Sequence, residues 1–151
     1  MRIVIIESGD TASALEVAES SRSYFETGFE DLKKDLTKHI LFGAFVDKKM
    51  IGFITYRENS SDVIEISWLA VMPKYRNKGV GSQLVNDSLK QLTGGYKICE
   101  VKTLAGTHED KGYAKTRNFY KKLGFISLEI IDPYPGWDKD SPCQIFVKSL
   151  W

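Results

Sequence analysis

The chain has 151 residues, 42% of them hydrophobic, and a formal net charge of +1. That length is typical of one globular domain, so we expect a single domain spanning residues 1–151. The near-neutral charge offers no general attraction for nucleic acid or an anionic membrane, and neither partner is expected. The first apolar run, Ile3–Ile6, is too short for a signal peptide or a membrane span, which favours a cytoplasmic protein.

The two cysteines, Cys99 and Cys143, lie far apart, without a Cys-x-x-Cys motif or a nearby pair of histidines. This pattern argues against a disulfide framework and against a structural zinc site. We therefore expect both cysteines to be small core residues, and we expect no bound metal.

The N-terminal part alternates between strand and helix patterns. A short strand is predicted over Arg2–Glu7, followed by a helix near Thr11–Tyr24 that Asp10 or Thr11 caps. A second helix is predicted over Gly28–Lys38, where large apolar residues share one face.

The middle of the chain has the pattern of an antiparallel sheet. The apolar runs Ile40–Asp47 and Met50–Arg57 are joined by the tight link 47–49, which predicts a hairpin. The polar turn Asn59–Asp62 then leads into a third long strand, Val63–Met72, which ends at a proline.

The third strand changes its alternation partway along. Ile64, Ile66 and Trp68 keep one phase of the two-residue repeat. Leu69 and Val71 keep the other phase. A β-bulge at residues 68–69 would absorb such a slip. The alternative is a strand buried on both faces, which needs no alternation.

The C-terminal part continues the mixture of helices and strands. The predicted elements are, in order, a helix Val80–Leu92, a strand Tyr96–Leu104, a helix Tyr113–Leu123, and the strands Phe125–Ile131 and Cys143–Ser149. The sequence therefore predicts a mixed α/β fold organised around one sheet.

The segment Arg76–Gly81 lies between a predicted strand and a predicted helix. The free N–H groups of a helix start, beside the positive end of its dipole, bind phosphate. The two glycines allow close approach of the backbone, and Lys74, Arg76 and Lys78 can add positive charge at the rim. The spacing matches neither a Walker loop nor a dinucleotide fingerprint. A pyrophosphate held mainly by backbone is one interpretation, and a solvated basic loop is the other.

Two segments together resemble the GNAT superfamily of N-acetyltransferases. Leu69–Gly81 is similar to the acetyl-CoA motif of that family, and Asn118–Phe125 is similar to its later helix, which ends in a Gly-Phe turn. The order of elements also matches over nearly the whole chain. The resemblance implies a mixed, mostly antiparallel sheet of about seven strands, flanked by about four helices, with a splayed and bulged strand.

The resemblance also implies that acetyl-CoA is the cosubstrate. The backbone of the bulged strand would pair with the pantetheine arm, and the amides after it would hold the pyrophosphate. The implied cofactor-binding residues are Leu69, Ala70, Val71, Arg76, Asn77, Lys78, Gly79, Val80, Gly81 and Ser82.

Catalytic roles follow from the same resemblance. Tyr120 takes the position that donates a proton to the departing CoA sulfur, although a phenol at a helix end also packs well against aromatic neighbours. Glu65, Glu100 and His108 are candidates for the general base, each with a solvated or salt-bridged role as the alternative. Relatives attack directly, so no cysteine nucleophile is needed. Many relatives carry an asparagine where this chain has Tyr113, which puts that cofactor contact in doubt.

The acceptor is implied only as a class. The loop Asp132–Asp140 combines two aromatic with three acidic residues, which could hold a cationic amine, or it is simply stiffened by proline and glycine. A small amine, an aminoglycoside-like compound and a protein amine all fit the pattern. A homodimer is left open. Two other readings are a catalytically silent acyl-CoA-binding or regulatory module of the same fold, and a protein-interaction domain.

Overall fold

A computed structural model describes residues 1–25, 28–92, 94–105 and 111–150, with the side chains of 111–113 outside the description. The chain divides into two compact units, residues 1–57 with 66–93, and residues 58–65 with 94–151. The expected single domain of residues 1–151 stays a prediction. None of the described helices combines the length and the apolar character needed to span a bilayer.

The first unit holds most of the N-terminal elements. In chain order these are β1 (Val4–Glu7), α1 (Thr11–Ser20), a 3-10 turn (Arg22–Phe25), α2 (Phe29–Asp35), β2 (Ile40–Val46), β3 (Lys49–Glu58), the second part of β4 (Val63–Val71), a 3-10 turn (Pro73–Tyr75) and α3 (Val80–Gln91). The strand order is β1-β2-β3-β4, with β1/β2 and β2/β3 antiparallel.

The second unit begins with the first residues of β4. It continues with β5 (Ile98–Leu104), α4 (Lys111–Lys122), β6 (Ile126–Ile131) and β7 (Cys143–Ser149). Its strand order is β4-β5-β7-β6, with β5/β7 and β6/β7 antiparallel. The described residues thus contain seven strands and four α-helices, which confirms the predicted α/β class with a mixed, mostly antiparallel sheet.

Local chemistry shortens two of the predicted helices. Asp10, not Thr11, caps α1, because its Oδ1 accepts a hydrogen bond of 3.0 Å from the Ser13 N–H. The helix stops at Ser20, whose hydroxyl donates back to a carbonyl of the last turn. Helix α2 stops at Asp35 rather than Lys38, since the chain there closes into turns.

The hairpin between β2 and β3 has the predicted tight turn. Asp47 and Lys48 have φ of 49° and 68°, and Val46 pairs with Lys49 across the turn. Two consecutive positive φ angles are typical of the turn that matches the twist of a two-residue hairpin.

Strand β4 does not show a simple alternation. Ile64, Glu65 and Ile66 are buried in succession, as in a strand covered on both faces. The register of β2/β3 shifts between Ala44 and Phe45, but the bulge expected at residues 68–69 stays a prediction.

The core of the first unit forms where α1 and α2 pack on the strands. Its buried members are Ala14, Val17, Ala18, Phe29, Leu32, Leu36, Leu41, Met50, Phe53 and Ala70. Trp68 on β4 packs against this cluster, and its indole meets the ring of Phe25 edge to face, with centroids 5.9 Å apart. The apolar faces of both helices therefore hold the end of β4 in place.

Strand β3 approaches β4 closely at Gly52. A Cβ added there would lie 3.0 Å from the carbonyl oxygen of Ala70 and 3.2 Å from a methyl group of Leu84. Such distances are shorter than most real Cβ contacts, so a side chain at this position would require its neighbours to shift by a few tenths of an ångström.

We predict that Gly52→Ala lowers the free energy of unfolding by about 1–3 kcal/mol, because the new methyl group must push the Ala70 backbone aside. Urea denaturation measures the change. Gly9→Ala is the matched control, since a Cβ there meets nothing within 4 Å, and it should change stability by less than about 0.5 kcal/mol. Equal effects of the two substitutions would contradict the close approach.

Candidate active site

The loop before α3 forms a backbone cradle at the start of that helix. Asn77 and Gly79 have positive φ angles of 60° and 81°, which turn the chain sharply into the helix. The hydrogen bond of 3.0 Å from Gln83 N–H to Gly79 C=O begins the helical ladder, so the amides of residues 80–82 precede it. In the part of the chain that the structure describes, no side chain caps this helix and its first turn holds no acidic residue.

Space is also available in front of this cradle. A Cβ added at Gly79 would meet nothing within 4 Å, so the loop is open where an anion would approach. The amide groups and the positive end of the helix dipole suit a phosphate. The loop has the geometry that the sequence predicts for it.

The charged residues of this loop divide into two roles. Arg76 donates from Nε to the carbonyl of Val71 at 3.2 Å, and from its Nη2 to the hydroxyl of Ser21. Its guanidinium also lies over the ring of Tyr24, 4.5 Å from the centroid. Arg76 therefore anchors the end of β4 instead of lining the phosphate rim.

Lys74 and Lys78 are the exposed cations of the loop. Their ammonium groups lie 5.8 and 6.0 Å from the centre of the Tyr75 ring. Both remain able to move toward a bound anion, because neither is held in a buried ion pair in the described structure.

Tyr120 lies near the end of α4 and is buried, with 5% of its surface exposed. Its ring meets Phe119 and Phe125 edge to face, with centroids 5.0 and 5.4 Å apart. Burial raises the pKa of the phenol, and the nearby Cys99 raises it further. The hydroxyl thus keeps its proton at neutral pH, as a proton donor must.

Two cations hold α4, one at its middle and one just past its C-terminal end. Arg117 donates to the carbonyl of Leu104 on β5 at 2.8 Å, and Lys148 on β7 donates to the carbonyl of Leu123 at 2.6 Å. Gly124 follows with φ of 92°, the left-handed residue that commonly ends a helix. These contacts set the position of Tyr120 within the second unit.

The two carboxylates predicted as bases lie together. Asn59 donates from Nδ2 to Glu65 at 2.8 Å and to Glu100 at 3.0 Å. The Lys102 ammonium lies 2.9 Å from Glu65 and 4.0 Å from Glu100. We call these four side chains the carboxylate cluster, and it lies entirely in the second unit.

The sequence interpretation missed Asn59 and Lys102 as partners of these carboxylates. Lys102 could have been found, because it is two residues from Glu100 on β5 and strand alternation places both on one face. Asn59 is in a turn 41 residues from Glu100, and no local pattern links them.

The carboxylate cluster changes the ionisation of its neighbours. Desolvation lowers the pKa of Lys102, but the hydrogen bond that it donates to Glu65 and the charges of both carboxylates outweigh this effect, and the net pKa is raised. Burial raises the pKa of the Cys143 thiol to about 11, with Lys102 opposing and the two carboxylates adding to the shift. Both cysteines are buried and unpaired by disulfide, in agreement with the predicted core role.

The aromatic loop after β6 also meets Lys102. The Lys102 ammonium lies 5.7 Å from the centre of the Tyr134 ring, and Tyr134 packs on Trp137 at 5.3 Å between centroids. The sequence suggested the aromatic rings of this loop as contacts for a substrate cation, but the Tyr134 ring already lies near the Lys102 ammonium.

Two further sequence-based candidates are outside the description. His108 falls in residues 106–110, and the side chain of Tyr113 is also among those not described. Within the described residues, no group of three or more histidine, cysteine or acidic residues is arranged to hold a metal ion.

The sequence matches one family model, described as the acetyltransferase (GNAT) family, over residues 10–125. That range includes the loop before α3, both carboxylates and Tyr120. No curated protein matches the sequence significantly.

Known structures share the fold over nearly the whole chain. A GNAT acetyltransferase from Desulfovibrio desulfuricans has a TM-score of 0.83 at 18% identity, covering 99% of this chain and 100% of that chain. An aminoglycoside 6'-N-acetyltransferase from Enterococcus faecium has a TM-score of 0.76 at 18% identity, covering 100% and 98%. A GNAT acetyltransferase from Elizabethkingia anophelis, solved with acetyl-CoA bound, has a TM-score of 0.71 at 20% identity, covering 97% of each.

We predict that Lys102→Met lowers the free energy of unfolding at pH 7 by about 2 kcal/mol, because the buried Glu65 and the half-buried Glu100 lose their counter-charge. The pKa of Lys102 is raised on folding, so its stabilisation is full below the unfolded value of about 10.4 and is lost as pH rises through the folded pKa. The difference between wild type and variant should therefore hold from pH 7 to about 10 and shrink above it.

Urea denaturation across that pH range measures this difference. Lys97→Met is the matched control, since the Lys97–Asp62 pair is 3.8 Å long and its side chains are 54% and 59% exposed. It should cost less than about 1 kcal/mol. A loss no greater for Lys102→Met than for the control would rule out a stabilising role for the cluster.

Proposed function

Because this chain belongs to the acetyltransferase (GNAT) family, we propose that it transfers an acetyl group from acetyl-CoA to a primary amine by direct attack. The observation that carries the proposal is the uncapped start of α3 within the family match, with Gly79 at φ 81° and open space before it. This cradle suits the pyrophosphate of CoA.

The proposed cofactor contacts use mainly backbone. The amides from Arg76 to Ser82 hold the pyrophosphate, and the stretch Leu69–Val71 pairs with the pantetheine arm. The carbonyl of Val71 already accepts a hydrogen bond from Arg76, so its pairing group toward pantetheine is the N–H. Lys74 and Lys78 add charge at the rim.

The proposed chemistry uses three side chains. Tyr120 protonates the departing CoA sulfur, a role that its burial supports because the phenol stays protonated. Glu65 and Glu100 act on the amine, holding its ammonium form and accepting a proton through water. Both carboxylates lie beside the Lys102 ammonium, at 2.9 and 4.0 Å.

The acceptor we propose is a cationic amine. Glu65 and Glu100 lie together and can attract a positive charge, and three of the structures of this fold are aminoglycoside 6'-acetyltransferases. A small amine and a protein amine both satisfy this chemistry.

A panel of acceptors tests the proposal. Release of free CoA thiol is followed with a polyamine, an aminoglycoside, a lysine peptide and a peptide with a free N-terminus, and acetyl-CoA binding is followed by thermal shift. We expect stabilisation by acetyl-CoA and turnover with at least one amine. Stabilisation without turnover would favour the catalytically silent module, and no stabilisation would contradict both.

We predict that Tyr120→Phe lowers kcat by about tenfold or more while leaving the Kd for acetyl-CoA within about twofold. The physical reason is that the thiolate loses its proton donor but the cofactor loop is untouched. Steady-state kinetics at saturating substrates and calorimetric titration measure the two quantities. Tyr96→Phe is the control, because that phenol bonds Glu58 on the surface, and it should leave kcat unchanged. An unchanged kcat in Tyr120→Phe would contradict the role of Tyr120 as the proton donor to the CoA sulfur.

A further inference from the structure

A chain of polar side chains in the first unit ends at a histidine. The Nδ1 atom of His39 is hydrogen-bonded to the hydroxyl oxygen of Ser67 at 2.8 Å. That oxygen lies 2.7 Å from the hydroxyl oxygen of Thr55. On its other side, His39 Nε2 lies 3.6 Å from Oδ1 of Asp35. The Asp35 carboxylate, the His39 imidazole and the Ser67 hydroxyl are therefore successive neighbours in one chain of contacts.

The surroundings favour one arrangement of the protons. With Asp35 against Nε2, the N–H of the neutral ring belongs on Nε2, which leaves Nδ1 to accept from Ser67. Asp35 is itself oriented by the Trp68 indole, which donates to its Oδ2 at 2.9 Å. Asp35 comes from α2 and places a charge beside the imidazole, and the described contacts from β3 and β4 are the hydroxyls of Thr55 and Ser67.

Burial keeps this line of groups ordered. Thr55 is fully buried, and the His39 side chain is only 12% exposed, but Ser67 is half-buried and can be reached. A hydroxyl has one donor and two acceptor sites. Ser67 can therefore donate to His39, accept from Thr55, and still accept from a substrate.

The position of Ser67 on β4 brings this line near the proposed reaction. Ser67 is two residues before Leu69, where the backbone contacts to the thioester end of acetyl-CoA are expected, and so about 7 Å along the strand. A separation of about 7 Å fits an amine nitrogen placed between the two groups, about 3 Å from the hydroxyl and about 3 Å from the thioester carbon.

We propose that Ser67 and His39 form a proton relay for the acceptor amine, with Asp35 orienting the imidazole. This relay rests on the proposed acetyl transfer and adds to it a route that does not pass through the carboxylate cluster. It needs a group that can take up a proton at neutral pH, and an imidazole beside a carboxylate is such a group.

In this relay one proton passes from the amine toward His39 and another passes from Tyr120 to the sulfur. The amine nitrogen forms a bond to the thioester carbonyl carbon, and the carbon–sulfur bond breaks. The attacking nitrogen gives a proton to Ser67 Oγ as Ser67 gives its own to His39 Nδ1, which leaves an imidazolium facing Asp35. The sulfur takes a proton from Tyr120, and solvent returns the imidazolium and the phenolate to their starting forms.

The test is the pH dependence of kcat/KM for the amine, expressed as the ratio of variant to wild type, because the amine's own ionisation cancels in that ratio. His39→Gln and Ser67→Ala should each lose about tenfold or more at pH 8, where the imidazole of the wild type is free to accept. At acid pH an imidazole is protonated and cannot accept a proton, so the ratio should approach one there. Asp35→Asn should move the inflection to lower pH.

Tyr96→Phe is the matched control, since it removes a surface phenol that bonds Glu58 and touches none of the relay atoms. Its ratio to wild type should not change with pH. A flat ratio for both His39→Gln and Ser67→Ala, whether low or near one, would overturn the relay and leave a structural contact. A wild-type protein that releases no CoA with any amine and is not stabilised by acetyl-CoA would instead overturn the proposed function and the relay with it.

Discussion

The contact of Arg76 with the carbonyl of Val71 fixes the point at which β4 ends and the loop before α3 begins. The same guanidinium bonds Ser21 after α1, so a strand, a loop and a helix end meet on one side chain. A row of backbone amides binds an anion well only when its geometry is set in advance. Asn77 and Gly79, which have left-handed backbone conformations, come directly after Arg76 in the chain. The position of the cradle therefore depends on the contacts of Arg76.

The features predictable from sequence are those that local chemistry decides. A glycine before a helix, a Gly-Phe turn after one, and two apolar runs around a two-residue link each need only a few neighbouring residues. The loop before α3, the end of α4 and the β2/β3 hairpin were therefore predicted correctly. The role of Arg76 was not, because its partner Ser21 is 55 residues away and the sequence shows only a cation in a loop.

Long-range pairing sets what the sequence could not show. Glu65 and Glu100 were identified separately as bases, but their common partners Asn59 and Lys102 depend on the register of strands and a turn. His39 drew no attention in the sequence, because its partner Ser67 is 28 residues away. Side chains that lie far apart in the chain have no periodic pattern, whereas helix faces and hairpins do.

The surroundings of Glu65 and Glu100 also differ from those that the sequence alone suggests. Two carboxylates close together repel each other, and a protonated lysine between them removes much of that cost. The cluster therefore joins two carboxylates to one ammonium in the second unit, so the lysine offsets part of their negative charge.

The raised pKa of Lys102 lowers the reactivity of its amine as a nucleophile. In the proposed acetyl transfer, the amines of the protein itself would also meet a reactive thioester, and a neutral amine is a nucleophile. Lys102 stays protonated between Glu65 and Glu100, so its nitrogen has no lone pair with which to attack. The ion pair that balances the carboxylates therefore also shields this lysine from self-acetylation, a modification that would erase its charge.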